Sequence, residues 1–285
     1  MTTSATRRLM AIALGLVGIG TAVAPPTPAP AGTRAVDPAT VVPLDKIPPE
    51  FRESVVEVIR DHTMHRKGSA DTFPCHSKVY LNLVNEPAVT LALWQDLSQT
   101  QVSLRRLDAN RYQGSDGMGT SATWQYVYRS PKLHVLLSDL DYVSPRGAAK
   151  LNGRIVLVVH SGYYREVNGE PWIQHDVEAF VKVDSKGWKA LAKTVRPLLD
   201  KVLEDQVQEA GLFVSLMGRL VENYPNWACS VVLSQNSIDS ATRTNFRDVV
   251  VQSKRPNAST GRPQMIADAT TGAPGMPDAD AIRRR

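Results

Sequence analysis

The sequence predicts an α+β fold in which a curved antiparallel sheet packs on a long C-terminal helix. Between Gln101 and Asp184, segments that alternate apolar and polar residues are separated by turn-forming residues, which is typical of closely connected antiparallel strands. Between Trp188 and Tyr224, apolar residues recur about every 3.6 positions, which is the period of an amphipathic helix. So long an apolar stripe must be buried, and the sheet is the available surface.

Turn signals mark the ends of the predicted strands. The dipeptides Ser130-Pro131 and Asn168-Gly169 supply the proline and glycine that tight connections use. Residue alternation between such signals predicts strands over residues 102–108, 120–129, 132–143, 154–167 and 171–184. Strands joined this closely pair with their neighbours in the chain and form a meander.

The segments before the meander predict two helices and one strand. Pro48 and Pro49 open a short helix that runs to about His62. Residues 78–84 alternate as a strand, and Asn85 can cap the helix that follows. In the long C-terminal helix, Phe213 and Met217 lie one turn apart on the apolar stripe, so we expect both to be buried.

The N-terminus has the pattern of a signal peptide. Arg7 and Arg8 form a basic region, residues 9–24 form an apolar region, and small residues around Ala31 favour cleavage there. We therefore predict a signal peptide over residues 1–31 and a mature protein that is secreted or periplasmic. The apolar region is sixteen residues long, short of the ~20 that a spanning helix needs, and we expect no transmembrane span in the mature chain.

Composition predicts one folded body between two flexible segments. Residues 32–46 are rich in proline and alanine, and residues 253–285 are poor in large apolar side chains, so neither can bury enough surface to offset the entropy of ordering. We predict a linker over residues 32–46, an α+β domain over residues 47–228 and a mostly disordered tail over residues 229–285.

The charge distribution argues against nucleic acid as a partner. The net charge is +5, but the basic residues of the leader and of residues 253–285 account for it. The body is therefore close to neutral, whereas nucleic-acid binding needs basic residues on a folded face. Cys75 and Cys229 lie near the two ends of the body, where they form either a disulfide or two free thiols.

The order of elements resembles the helix-grip fold of the START-like, or SRPBCC, superfamily. The resemblance covers residues 73–224 and depends most on the block from Trp172 to Tyr224, where a strand ending in Val183 runs directly into the helix opened by Trp188. In that superfamily the sheet curls around the long helix and leaves a cavity for a hydrophobic ligand. The resemblance implies an apolar small-molecule partner; since members include carriers and enzymes, it does not choose between them.

The candidate ligand-binding residues come from the last two strands. If Asn168-Gly169 is a two-residue turn, one face of the hairpin carries the candidate site, because alternate residues share a face. The residues on that face with ligand-binding chemistry are His160, Gly162, Tyr164 and His175. Polar groups inside an apolar cavity orient a ligand; the alternative is that these histidines are hydrogen-bonded core residues.

Other chemistry has little support in the sequence. The two histidines lack a convincing third metal ligand, although Asp139 and Asp141 are conceivable. No phosphate loop and no nucleophile elbow occurs, so no cofactor is predicted. The leading hypothesis is a secreted binding protein for a hydrophobic small molecule or lipid. The alternatives are an enzyme on the same scaffold that uses a pocket histidine as general base, and a non-catalytic envelope interaction module.

Overall fold

The computed structural model describes residues 36–98, 100–117, 119–143, 150–184, 207, 210–253 and 261–263. They fall into two compact units. The sheet unit takes its residues from the described parts of Met1–Thr72, Thr100–Tyr164 and Ile173–Phe213, and the helical unit from those of Phe73–Gln99, Arg165–Trp172 and Val214–Arg285. The predicted signal peptide lies outside the described residues. Within the part of the chain that is described, no helix is both long and apolar enough to cross a membrane.

The segment expected to be a flexible linker is ordered from residue 36. It contains helix α1 (Pro38–Val41) and a 3-10 turn (Leu44–Lys46), which lead into helix α2 (Pro49–Arg60). Val42 and Ile47 are almost completely buried and join the core cluster that α2 forms with the sheet. The prediction of a linker over residues 32–46 is therefore wrong for residues 36–46, because two apolar side chains fix this segment to the core.

Among the residues that the structure describes, the sheet has eight strands, seven of them in one antiparallel path and one on a branch. The strands are β1 (Met64–Lys67), β2 (Asp71–Pro74), β3 (Ser103–Arg106), β4 (Arg111–Ser115), β5 (Thr120–Arg129), β6 (Leu133–Val143), β7 (Lys150–Arg165) and β8 (Pro171–Val183). Their order is β1-β8-β7-β6-β5-β4-β3, and β2 also pairs with β8. A register shift between Tyr126 and Tyr128 places a bulge in β5, which bends a strand and supports a curved sheet.

The segment predicted as a strand over residues 78–84 is helical. Helix α3 (Ser77–Asn85) begins where the His76 side chain accepts a hydrogen bond from the backbone N–H of Lys78. Helix α4 (Pro87–Leu97) follows directly. The side chains of Val79, Tyr80 and Leu83 are buried. This i, i+1, i+4 spacing fits one face of a helix, whereas in a strand Val79 and Tyr80 would point to opposite faces.

The two faces of the sheet are covered by different helices. On the outer face, Val156, Val158 and Phe180 pack with residues of α2 in one buried cluster. On the inner face, Val177, Ala179, Val181 and Val183 pack with Val207 in a second cluster. Residues 210–223 form helix α5, and the Nε2 atom of His175 donates to the backbone oxygen of Gly211 at 3.0 Å.

This arrangement is the predicted α+β helix-grip fold, with a curved antiparallel sheet whose inner face holds the C-terminal helix. The first part of the long helix predicted over residues 188–224 lies outside the described residues. In the described part, Phe213 and Met217 are buried as predicted, at 6% and 0% exposure. The prediction of the long helix is confirmed over residues 210–223.

The helical unit continues beyond the predicted end of the domain. Helix α6 (Pro225–Ser234) and helix α7 (Ser240–Gln252) follow α5. The side chains of Val232, Phe246 and Val250 are buried, so apolar burial orders a segment whose overall composition is polar. The expectation of a mostly disordered tail from residue 229 is therefore wrong as far as residue 252. Cys75 is buried, and Cys229 is partly buried.

Candidate functional site

The hairpin between β7 and β8 turns through three residues. The N–H of Glu166 donates to the oxygen of Glu170, and that of Gly169 donates back to the oxygen of Glu166. Gly169 has a positive φ of 83°, as the last residue of a three-residue hairpin loop requires. At the other end of the hairpin, the backbone N–H of Asp184 donates to the backbone oxygen of Asn152. The expected two-residue turn at Asn168-Gly169 is therefore wrong, and the register is one residue away from the prediction.

This shift in register divides the predicted site between the two faces of the sheet. A Cβ atom added to Gly162 would have Gln174 as its nearest neighbour, and Gln174 is exposed on the outer face. His160 and Tyr164 alternate with Gly162 and so share the outer face, where Tyr164 is 42% exposed. His175 is 1% exposed and lies on the inner face. The predicted grouping of His160, Gly162 and Tyr164 with His175 is therefore wrong.

The inner face instead carries a row of polar residues, which we call the inner polar band: Arg129, His134, Ser161 and His175. Arg129 on β5 pairs with His134 on β6, and His134 pairs with Val159 on β7. Ser161 shares a face with Val159, and the observed register places it opposite His175 on β8. His134, Ser161 and His175 are all buried. The band therefore crosses four neighbouring strands.

His175 is held by the C-terminal helix. Because its Nε2 atom donates to the backbone oxygen of Gly211, the Nδ1 atom of the neutral ring is left as an acceptor. Burial lowers the pKa of His175, and the carboxylate of Asp71 and the bond to Gly211 oppose this only in part. The imidazole is therefore neutral at pH 7.

Three residues of the band, Arg129, Ser161 and His134, were not singled out from the sequence, and of these His134 is the most perturbed. Its side chain is completely buried, and burial, assisted by the positive charge of Arg129, lowers its pKa to about 4. The guanidinium of Arg129 lies over the ring of Tyr126 at 3.7 Å. The signal was present in the alternation of residues 132–143, which places His134 on the same face as Leu136 and Leu140.

Three aromatic side chains continue the inner face next to the band; we call them the aromatic row. Tyr112 and Trp124 stack with their ring centroids 6.3 Å apart, and Tyr112 meets Tyr126 edge-on at 6.2 Å. The ring of Tyr126 is in turn edge-on to His134 at 6.5 Å. All three aromatic residues are buried. The inner face thus combines an aromatic surface with a few buried polar groups.

The outer face places His160 near a different set of charged residues. His65 on β1 bonds to Glu178 on β8, and Lys67 forms an ion pair with Asp176. Burial raises the pKa of Glu178, but the hydrogen bond from His65 and the charges of His65, Lys67 and His160 together lower it by more. Among the residues that the structure describes, no group of three or more His, Cys, Asp or Glu side chains is arranged to hold a metal ion.

Comparison with known proteins gives structural neighbours only. No protein-family model and no curated protein matches the sequence. A conserved protein from Geobacillus kaustophilus is 13% identical, with a TM-score of 0.39, over 53% of this chain and 93% of that one. The di-domain ARO/CYC protein BexL of the BE-7585A biosynthetic pathway is 13% identical, with a TM-score of 0.35, over 59% and 56%. Ara h 8.0201 is 10% identical, with a TM-score of 0.29, over 53% and 96%. Similarity at this level assigns neither a ligand nor an activity to this chain.

Proposed function

We propose that the chain is a START-like binding protein that holds an apolar small molecule or lipid against the inner face of the sheet. The observation that carries the proposal is the inner polar band, in which His134, Ser161 and His175 are buried on neighbouring strands. Buried polar groups on an otherwise apolar surface give a ligand its orientation. The aromatic row supplies the apolar surface, since Tyr126 contacts His134 directly.

The chemistry of the band favours binding over catalysis. A general base works best when its pKa lies near the working pH, whereas burial lowers the pKa of His134 to about 4. The pKa of His175 is lowered as well, and its Nε2 hydrogen is committed to Gly211. Neutral imidazoles of this kind accept or donate hydrogen bonds to a ligand without taking up its proton.

The proposal includes export from the cytoplasm. It is supported by the basic residues Arg7 and Arg8, the apolar segment 9–24 and the small residues before Gly32. Sequencing the N-terminus of the protein recovered from culture medium or periplasm tests this part. The expected result is a mature chain that begins at Gly32; recovery of uncleaved chain in the cytoplasm alone would contradict it.

Ligand binding is tested with the purified mature protein. Native mass spectrometry and solvent extraction should reveal a bound lipid or small apolar molecule. An apolar fluorescent dye should bind and should quench Trp124, which lies in the aromatic row. The variant Trp124→Phe identifies how much of the quenching comes from this residue.

The matched variants make the same change on opposite faces of the sheet. His134→Leu removes a buried inner-face imidazole, and His160→Leu removes an imidazole from the outer face. Loss of one hydrogen bond to the ligand contributes about 1 kcal/mol, so His134→Leu should change affinity about fivefold, and His160→Leu should not change it. A well-folded parent that carries no ligand and binds no dye would overturn the proposal.

A further inference from the structure

The end of the sheet where β3 meets β4 carries an exposed basic tip. Residues 105–111 are exposed without interruption, and they connect β3 to β4. The β5 to β6 connection lies at the same end, because Arg129 pairs with His134 as β5 ends and β6 begins. Five cationic side chains, which we call the basic end, belong to these two connections: Arg105, Arg106, Arg111, Arg129 and Lys132.

Acidic residues balance little of this charge. Within residues 105–111 and 129–132, Asp108 is the single acidic residue. It forms an ion pair with Arg111 at 3.3 Å, and both side chains are about half exposed. An exposed pair of this kind is weak, and these two segments carry five cationic side chains against one carboxylate although the body of the chain is close to neutral.

The arginines of the basic end point to both faces of the hairpin. Arg105 pairs with Gln113 and Arg106 with Tyr112, so these consecutive side chains lie on opposite faces. Arg105 also donates to Gln113 at 2.8 Å, while Arg106 lies over the ring of Tyr112 at 5.9 Å. Arg106 and Arg129 both donate to the backbone oxygen of Ala109 at 3.4 Å, whereas Arg105 lies on the opposite face, so the cations of the basic end do not all converge on one small anion. They fit a broad anionic surface.

An exposed apolar side chain lies between these arginines in the sequence. Leu107 is 37% exposed, and it lies at the turn where its N–H donates to the oxygen of Arg111. A large apolar residue flanked by arginines is the combination that binds the interface of an anionic bilayer, because the charges meet the headgroups while the apolar side chain enters the acyl boundary. Contact with nucleic-acid phosphates would leave Leu107 without an apolar partner.

We propose that the basic end docks the protein on an anionic lipid bilayer, with Leu107 inserted at the interface and the arginines on the headgroups. The occupant is the membrane surface, and no covalent anchor is involved. Docking is reversible and falls with ionic strength, since salt screens the attraction between the arginines and the lipid headgroups. The proposal stands independently of which ligand, if any, the inner face binds.

Vesicle co-sedimentation tests the proposal. The mature protein is mixed with vesicles of phosphatidylcholine alone and with vesicles that also contain phosphatidylglycerol, at low and at physiological salt. We expect binding only to the vesicles that contain phosphatidylglycerol, and weaker binding at the higher salt. Each arginine near an anionic surface strengthens binding about fivefold, so the double variant Arg105→Ala/Arg111→Ala should bind about 25-fold more weakly.

The control removes the same charge elsewhere. Arg60 and Arg247 are exposed and each pairs with its following aspartate, so Arg60→Ala/Arg247→Ala should bind vesicles like the parent. Leu107→Ser should weaken binding and keep its salt dependence. The proposal is overturned if phosphatidylglycerol does not increase binding of the parent to vesicles, or if the control variant loses as much vesicle binding as the test variant. It is also overturned if the parent binds duplex DNA and no vesicle.

Discussion

The Nε2 atom of His65 lies 2.7 Å from Oε1 of Glu178, and the same imidazole stacks on Phe180 with ring centroids 4.4 Å apart. This contact joins the short edge strand β1 to β8 on the outer face. Burial raises the pKa of Glu178, but the hydrogen bond from His65 and the charges of His65, Lys67 and His160 outweigh it, so the pKa lies below its ordinary value of 4.5.

The His65–Glu178 contact predicts a loss of stability in acid. A carboxyl group whose pKa is lowered by folding stabilises the protein above its unfolded pKa and loses this contribution as the pH falls through the folded value. Glu178→Gln should therefore lower the free energy of unfolding at pH 6 and reduce its dependence on pH below about 4.5. Urea unfolding at pH 6 and pH 3.5 measures this, with the exposed Glu53→Gln as control. Equal pH dependence in the parent and Glu178→Gln would contradict the prediction.

Because of His134, we expect a second pH dependence of the free energy of unfolding, between pH 7 and pH 5. The pKa of His134 is about 4 in the folded protein and about 6.5 when unfolded, so the unfolded state takes up the proton first as the pH falls. The parent should lose about 2 kcal/mol of unfolding free energy from this residue between pH 7 and pH 5.

The variant His134→Leu should lose that part of the pH dependence, while His160→Leu keeps it. Guanidinium unfolding at the two pH values gives the comparison. Some dependence remains in His134→Leu because burial also lowers the pKa of His175. A His134→Leu variant that loses as much stability as the parent between pH 7 and pH 5 would show that His134 is accessible to protons in the folded state.

Phe213 tests whether helix α5 is essential to the fold. Its side chain is 6% exposed, whereas its neighbour Leu212 is 44% exposed. Phe213→Ala removes buried apolar surface and leaves a cavity, so it should cost about 3 to 5 kcal/mol. Leu212→Ala should cost less than about 1 kcal/mol. If thermal unfolding shows equal losses, the sheet does not hold the helix.

The substitution Phe246→Ala tests whether residues 229–252 are ordered by apolar burial. Phe246 is completely buried in α7, while Val251 on the same helix is 63% exposed. Phe246→Ala should cost about 3 to 5 kcal/mol, and Val251→Ala should change stability by about 0.5 kcal/mol or less. Limited proteolysis reports on the same point, because cleavage between residues 229 and 252 should be slow in the parent and fast in Phe246→Ala. Rapid cleavage of the parent there would contradict an ordered α7.

The strands could be predicted from sequence where alternation and turn chemistry agree. Residues 120–129 coincide with β5, and β6 begins one residue after its predicted start. Strands β1, β2 and β4 are only four or five residues long, too short for alternation to stand out from chance. Helices α6 and α7 were missed because the average composition of residues 229–285 hides a few apolar residues that are buried.

Predicting the candidate site required the exact register of the last two strands, whereas predicting the fold did not. The period-2 pattern assigned β8 correctly, since His175 and Val177 are both on the buried inner face. It assigned residues 156–164 of β7 to the wrong face, because residues 155–159 are apolar on both faces and do not decide the face alone. The turn was needed to decide it, and Asn168-Gly169 is compatible with loops of two or three residues.

The loop of residues 167–169 therefore determines which side chains of the last two strands can meet. Gly169 occupies a positive φ, and a Cβ there would meet no atom within 4 Å, so crowding does not constrain the loop. Its length does. Deleting one loop residue would bring His160 to the side of His175 only by turning the buried Val156 and Val158 away from the cluster formed with α2. The number of residues in an exposed loop thus decides which side chains share the inner face, although no side chain of that loop lies on the inner face.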